Sequence, residues 1–193
     1  MTEAVVLIGF KSSGKSTYGA MLAKSQGWRF ADLDRLLEQV HASDHGAVLP
    51  AHRIFRDFGS AYFAELEERA LAAFVGRSTD EAQAGVGLAV LATTGATPFR
   101  SVNLALLRRL GPLVLIDTPR EIIRQRWFAG RLPAFVDPGD PEASFNRLYE
   151  ERAPLYIAAA DEVVPTANRR DEEVIADIQA IARRARAKAK APE

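Results

Sequence analysis

The 193-residue chain contains no cysteine, which excludes disulfide staples and thiolate metal sites together. It also lacks any apolar run of about 18 residues, the length a membrane-spanning helix needs. Net charge of one sign is missing as well. The 25 Lys and Arg balance 25 Asp and Glu, so no global field draws the chain to nucleic acid or to an anionic membrane. The opening MTEAVVLIGF places an acid ahead of its apolar residues, unlike a secretion signal. No internal repeat interrupts the chain. Its length suits one domain, because folding at this size buries roughly 70% of the surface that the unfolded chain exposes. The expectation is a cytoplasmic, single-domain protein with no nucleic-acid or membrane partner. The basic tail ARRARAKAKAPE reads as a solvated helix end, with a nucleic-acid patch as the alternative.

What is present is an alternation of short apolar runs with helical spacing. Ala4–Gly9, Trp28–Leu33, Val86–Ala92, Pro112–Ile116 and Glu162–Val164 read as strands, the first of them β-branched and buried on both faces. Helical periodicity fills Ser16–Lys24, Asp34–Val40, Ile54–Val75 with a break at Gly59, Pro98–Leu110, Arg120–Phe128, Glu142–Ala160 and Asp171–Ala187. The stretches His41–Arg53 and Arg77–Gly85 read as loops. Ala129–Pro141 holds five glycines and prolines, too many for a regular element, and reads as a mobile flap over about 129–141. Strands alternating with helices imply right-handed crossovers and a parallel sheet covered on both faces.

Between the first strand and the first helix stands GFKSSGKST, Gly9 to Thr17. It fits G-x-x-x-x-G-K-[ST] in the context that a phosphate-binding loop requires. Gly9, Ser12, Ser13 and Gly14 let backbone N–H groups turn toward an anion, and the helix opening at Ser16 and Thr17 adds its partial positive charge. Lys15 is expected at the β- and γ-phosphates and the Ser16 hydroxyl at Mg²⁺. The nucleotide is ATP or GTP.

The second strand ends in ADLD, at the sheet edge where ligands of such folds bind. Asp32 and Asp34 lie two apart on extended backbone and share one side. One of them can hold the metal's water shell while the other orients or deprotonates an acceptor hydroxyl. The competing explanation is a helix N-cap. His41 and His45 have the i, i+4 spacing of a zinc pair, but Gly46 and Pro50 make surface-loop histidines the expectation. Trp28 and Trp127 could stack on a base, although burial explains tryptophan more often. Phe55, Phe58, Tyr62, Phe63 and Leu66 form an apolar stripe suited to the core of an acceptor-binding part spanning about 33–75.

The ordered set GFKSSGKST, DLD with DRLLEQ, IFRDFGSAYFAELEERAL, VLATTGA, RQRWFAGRLP, ERAPLY and TANRRDEEV resembles the shikimate kinase family. That resemblance implies a three-layer α/β/α P-loop NTPase fold with a five-stranded parallel sheet and a lid. It implies ATP and Mg²⁺ as cofactors, a small hydroxylated acid such as shikimate as substrate, and a monomer. Carried over position by position, Asp34 binds and helps activate the acceptor hydroxyl, and Asp32 is the metal-associated carboxylate. Arg131 closes over the phosphates. Arg124 and Arg169 belong to the adenine side. Gly95 and Arg152 belong to the substrate, with Arg152 gripping its carboxylate. The same resemblance implies an arginine where Ala64 stands and glycines where Thr94 and Ala96 flank Gly95, whereas Glu67 matches. Either Arg53 or Arg56 replaces that guanidinium, or the pocket serves another hydroxylated acid. A nucleotide-binding module without turnover is the reading from a different class.

Overall fold

The structure, a computed structural model, describes residues 4–83, 87–130, 132–133 and 136–190. The five apolar runs become strands β1 (Ala4–Ile8), β2 (Arg29–Asp32), β3 (Ala89–Ala92), β4 (Leu113–Asp117) and β5 (Glu162–Pro165). All pair in parallel, in the order β2-β3-β1-β4-β5. Parallel neighbours need crossovers, and here helices supply them: α1 (Lys15–Gln26), α2 (Leu33–His45), α3 (Ala51–Gln83), α4 (Ser101–Leu110), α5 (Arg120–Ala129), α6 (Pro141–Ala159) and α7 (Asp171–Lys190).

Strand β1 is central and wholly buried. Its alternate side chains serve two cores: Ala4, Val6 and Ile8 face one way, Val5 and Leu7 the other. The first core takes residues from α2, α3, α4 and α6, among them Leu37, Leu71, Leu107 and Phe145. The second is roofed by α1 and α7, through Tyr18, Leu22, Val174 and Ile178. Each fully buried aliphatic contributes about 1.5–3 kcal/mol, so β1 is held firmly, and with it the loop that follows. The chain reaches β2 and β3 on one side of β1, then β4 and β5 on the other. That reversal leaves a crevice beyond the carboxyl end of β1.

Three readings of the sequence need correction. The stretch His41–His45 is the last part of α2, not a loop; the helix stops at Gly46 (φ 69°), and His41 is buried at 1% exposure. Both His41 Nδ1 and His45 Nε2 lie 2.9 Å from the Tyr62 hydroxyl of α3. Arg77–Gln83 continues α3 rather than forming a loop. The expected Gly59 break is there as a kink, with φ 85° and ψ 172°. The expected single helix from Pro98 is a 3₁₀ turn over Thr97–Phe99, then extended Arg100, then α4. Among the described residues no helix is long and apolar enough to cross a membrane.

Candidate active site

The loop after β1 adopts backbone that few side chains tolerate. Gly9 has φ 138° and Gly14 φ 98°, and Ser12 joins them at φ 69°. A Cβ on Gly9 would lie 3.0 Å from the Ile116 carbonyl oxygen, so the loop packs against β4 without room for a side chain. Trp127 of α5 clamps the outside, its Nε1 donating to the Lys11 carbonyl at 3.0 Å. This tryptophan is 2% exposed and belongs to the core, so burial accounts for it. Thr118 Oγ1 donates to the Ser13 carbonyl at 2.8 Å. The Ser13 hydroxyl is buried and has no partner.

Lys15 opens α1 with its ammonium folded back onto the Gly9 and Phe10 carbonyls, at 2.9 and 2.7 Å. Burial lowers its pKa to about 8, against the upward pull of Asp34 and Asp32. The Ser16 hydroxyl donates to Asp32 Oδ2 at 2.5 Å. Asp32 Oδ1 accepts the Asp34 N–H at 3.0 Å and so caps α2. Asp32 is therefore the N-cap, and the same carboxylate also meets the Ser16 hydroxyl. Asp34 is pushed up to about 6, first by burial and then by Asp32, while Lys11 and Lys15 hold it down. A hydroxyl and a carboxylate in contact are hard oxygen donors, the set that Mg²⁺ selects. The residues present therefore fit a magnesium–nucleotide complex.

A groove of about 420 Å³ runs along the loop, lined by Ser12, Gly14, Lys15, Ser16, Thr17, Tyr18, Arg126 and Asp171. Its lining carries the groups that a nucleotide's phosphates require, a helix N-terminus, an ammonium and a hydroxyl. Arg126 donates to the Ser12 carbonyl at 2.9 Å. Arg124 is not among the lining residues; Glu142 holds its Nε at 2.5 Å and Glu121 its NH1 at 3.2 Å. Arg169 braces the turn before α7, bonding the Pro165 and Glu173 carbonyls and Asp177. Arg131 lies outside the described residues. Reading the sequence missed Arg126. The helical register held the signal, since residues two apart on a helix point to roughly opposite sides and only one of Arg124 and Arg126 can face the groove.

At the other end of the loop, Gly95 follows β3. A Cβ there would lie 3.6 Å from the Lys11 nitrogen and the Tyr156 hydroxyl and 3.8 Å from an Arg152 guanidinium nitrogen. Tyr156 donates to the Gly95 carbonyl, and Arg152 packs over the Phe99 ring at 5.9 Å. Arg53 and Arg56 are both engaged with Asp57. Ala64 offers its carbonyl to Arg100 at 2.7 Å.

Glu67 is buried and accepts from Thr94 and Thr97 at 2.5 and 2.8 Å and from Asn103 Nδ2 at 3.0 Å. Burial raises its pKa, with the three donors and Arg100 pulling the other way. A folded-state pKa above the unfolded one means stability falls as pH rises from the ordinary carboxylate range through the raised value. The penalty is fully present above that value. The buried Asn103 Oδ1 has no partner, and a glutamine amide at position 67 would supply one once Asn103 turns over. Glu67→Gln is expected to raise Tm at pH 8 by about 2–4 °C for each kcal/mol recovered, the gain shrinking toward pH 5. Thermal melts at both pH values check this. A variant melting below wild type at pH 8 would show that the charged hydrogen bonds outweigh burial.

A profile of the shikimate kinase family matches residues 11–183. The shikimate kinase of Synechococcus sp. (strain JA-3-3Ab) is 39% identical over 83% of this chain and 77% of its own. That of Geobacter sulfurreducens is 31% identical over 93% of this chain and 90% of its own. The solved shikimate kinase from Acinetobacter baumannii in complex with shikimate is 26% identical and superimposes with a TM-score of 0.75, covering 91% of this chain and 90% of that one. With the phosphate loop, the Asp32–Asp34 strand end and the sheet order already in place, these matches establish that the chain belongs to the shikimate kinase family of ATP-dependent small-molecule kinases.

Proposed function

We propose that the acceptor is shikimate itself, phosphorylated on a hydroxyl by MgATP at the carboxyl edge of β1, in a monomer acting in the cytoplasm. The observation that carries the assignment is the superposition on a shikimate kinase solved in complex with shikimate, 26% identical with a TM-score of 0.75, with Asp34 standing beside the phosphate loop in the field of Lys11 and Lys15. Ser16 and Asp32 would hold Mg²⁺, which would supply charge neutralisation on the phosphates. Lys15 leaves the Gly9 and Phe10 carbonyls for the phosphates, and the loop from Gly9 to Thr17 positions them. Asp34 accepts the proton of the attacking hydroxyl as its oxygen bonds to the γ-phosphorus. The bond from that phosphorus to the bridging oxygen breaks, leaving ADP. Arg131 neutralises the transferring group, the role the family resemblance implies. Arg126, which lines the groove, takes the place on the nucleotide expected of Arg124, Arg169 stays on the adenine side, and Arg152 and Gly95 receive the carboxylate end of the acceptor. The parts about 33–75 and 129–141 serve as acceptor-binding segment and lid.

The test is ADP release from MgATP with and without shikimate, in wild type and in Ala64→Arg. Shikimate-driven release by the wild type supports the assignment. Release by Ala64→Arg alone would make another hydroxylated acid the acceptor, and release by neither would leave a nucleotide-binding module.

A further inference from the structure

Helix α2 carries Asp34 in its first turn and ends at His45, with His41 one turn earlier. The two imidazole rings stack with centroids 4.6 Å apart. His41 Nδ1 and His45 Nε2 converge on one atom, the Tyr62 hydroxyl of α3, each at 2.9 Å. A hydroxyl has one proton to donate, so it serves one imidazole and must receive an N–H from the other. The second nitrogen of His41, Nε2, is buried without a partner. A proton there would be a buried donor with no acceptor, a state that folded proteins avoid. Phe58 closes the cluster edge-on to His41 at 4.9 Å. The charged groups that act on it are Asp44 of α2 and Arg69 and Glu65 of α3. Arg69 holds Asp44 through two guanidinium nitrogens, at 2.6 and 3.0 Å. Among the described residues no carboxylate bonds either imidazole.

We propose that His41, Tyr62 and His45 form an acid-sensitive latch, closed while both imidazoles are neutral, that fastens the end of α2 to α3. In the closed latch His41 Nδ1–H donates to the Tyr62 oxygen, and the Tyr62 hydroxyl donates to His45 Nε2. Acid opens it at either end. A proton on His45 takes the lone pair that the Tyr62 hydroxyl needs. A second proton on His41 falls on buried Nε2, beside a stacked imidazole and away from any acceptor. Burial and the His45 charge accordingly hold the His41 pKa below the ordinary imidazole range, against the pull of Asp44. A folded-state pKa below the unfolded one means that this stability is full above the ordinary imidazole range and is lost as pH falls through it. The Arg69 hydrogen bond keeps Asp44 below the usual carboxylate range, so that ion pair stays charged while the latch titrates.

Thermal melts of wild type and Tyr62→Phe at pH 8 and pH 5 test this, because phenylalanine keeps the ring and removes the shared hydroxyl. At pH 8 the variant melts about 2–8 °C lower, the effect of one or two hydrogen bonds in a chain of this length. At pH 5 the gap shrinks to less than half. Asp34 and Glu67 titrate in wild type and variant alike, so the difference between the two isolates the latch. An equal gap at both pH values overturns the proposal, as does the lack of a gap at pH 8. ¹⁵N NMR spectra of the wild-type imidazoles, assigned with His45→Gln and His52→Gln, test the proton order independently. His41 is expected to carry its proton on Nδ1 at pH 8 and to stay neutral while His45 becomes charged on acidification. A His41 proton on Nε2 at pH 8 overturns the latch, and so does a His41 that charges before His45.

Discussion

Replacing Asp34 by asparagine is expected to lower kcat by about 10²- to 10⁴-fold, the range that a positioned general base supplies. The change keeps size and hydrogen bonding and removes the basic oxygen. The Asp34 N–H still caps onto Asp32 Oδ1, so the start of α2 is not disturbed. The pH profile separates this loss from a merely structural one. Burial and the Asp32 charge push Asp34 up to about 6, and only the carboxylate can accept a proton. Wild-type rate therefore falls as pH drops through that value and is level above it. The residual rate of Asp34→Asn should be flat across the same window. Turnover that survives the substitution undiminished would mean that another group, or solvent, takes the proton.

The elements whose environment is local were legible in the sequence. Strand β1 is buried on both faces, so its five-residue apolar run needs no partner to be recognised, and the phosphate loop declares itself by spacing alone. The misreadings arise where distant residues decide. Arg77–Gln83 looks like a loop because it is polar, yet Ser78 is buried, Thr79 bonds back to the Val75 carbonyl, and Glu81 pairs with Arg29 of β2. His41 is stabilised in α2 by a hydroxyl 21 residues away. Glu38 accepts the Ala51 N–H at 2.8 Å, so the turn between α2 and α3 is tied by a side chain that the local pattern does not mark. In the site, Lys15, Ser16, Asp32 and Asp34 were legible as a set, since motif and strand end specify them together. Arg126 was not. An arginine two residues from another on a helix is distinguished only by which side the core takes, here that of Ile123 and Trp127.

Lys15→Met is expected to lower kcat by about 10²- to 10³-fold, the usual loss when one preorganised contact to developing charge is removed. The geometry explains why no neighbour compensates. Lys15 is 7% exposed and springs from the first residue of α1, so its stem carries a charge into the floor of the loop. Lys11 lies in the same loop, but its side chain is exposed. Burial depresses the Lys15 pKa to about 8, still above neutrality, and a phosphate placed against it raises the value further. The ammonium therefore remains charged through the working range, and the wild-type profile should show no loss from this group below pH 8. Lys15→Arg is not expected to rescue. The guanidinium is a broad, rigid fork, whereas the ammonium here fits between two carbonyls at 2.9 and 2.7 Å. Near-wild-type kcat in Lys15→Met would place the stabilising charge elsewhere and shift the assignment to the arginines.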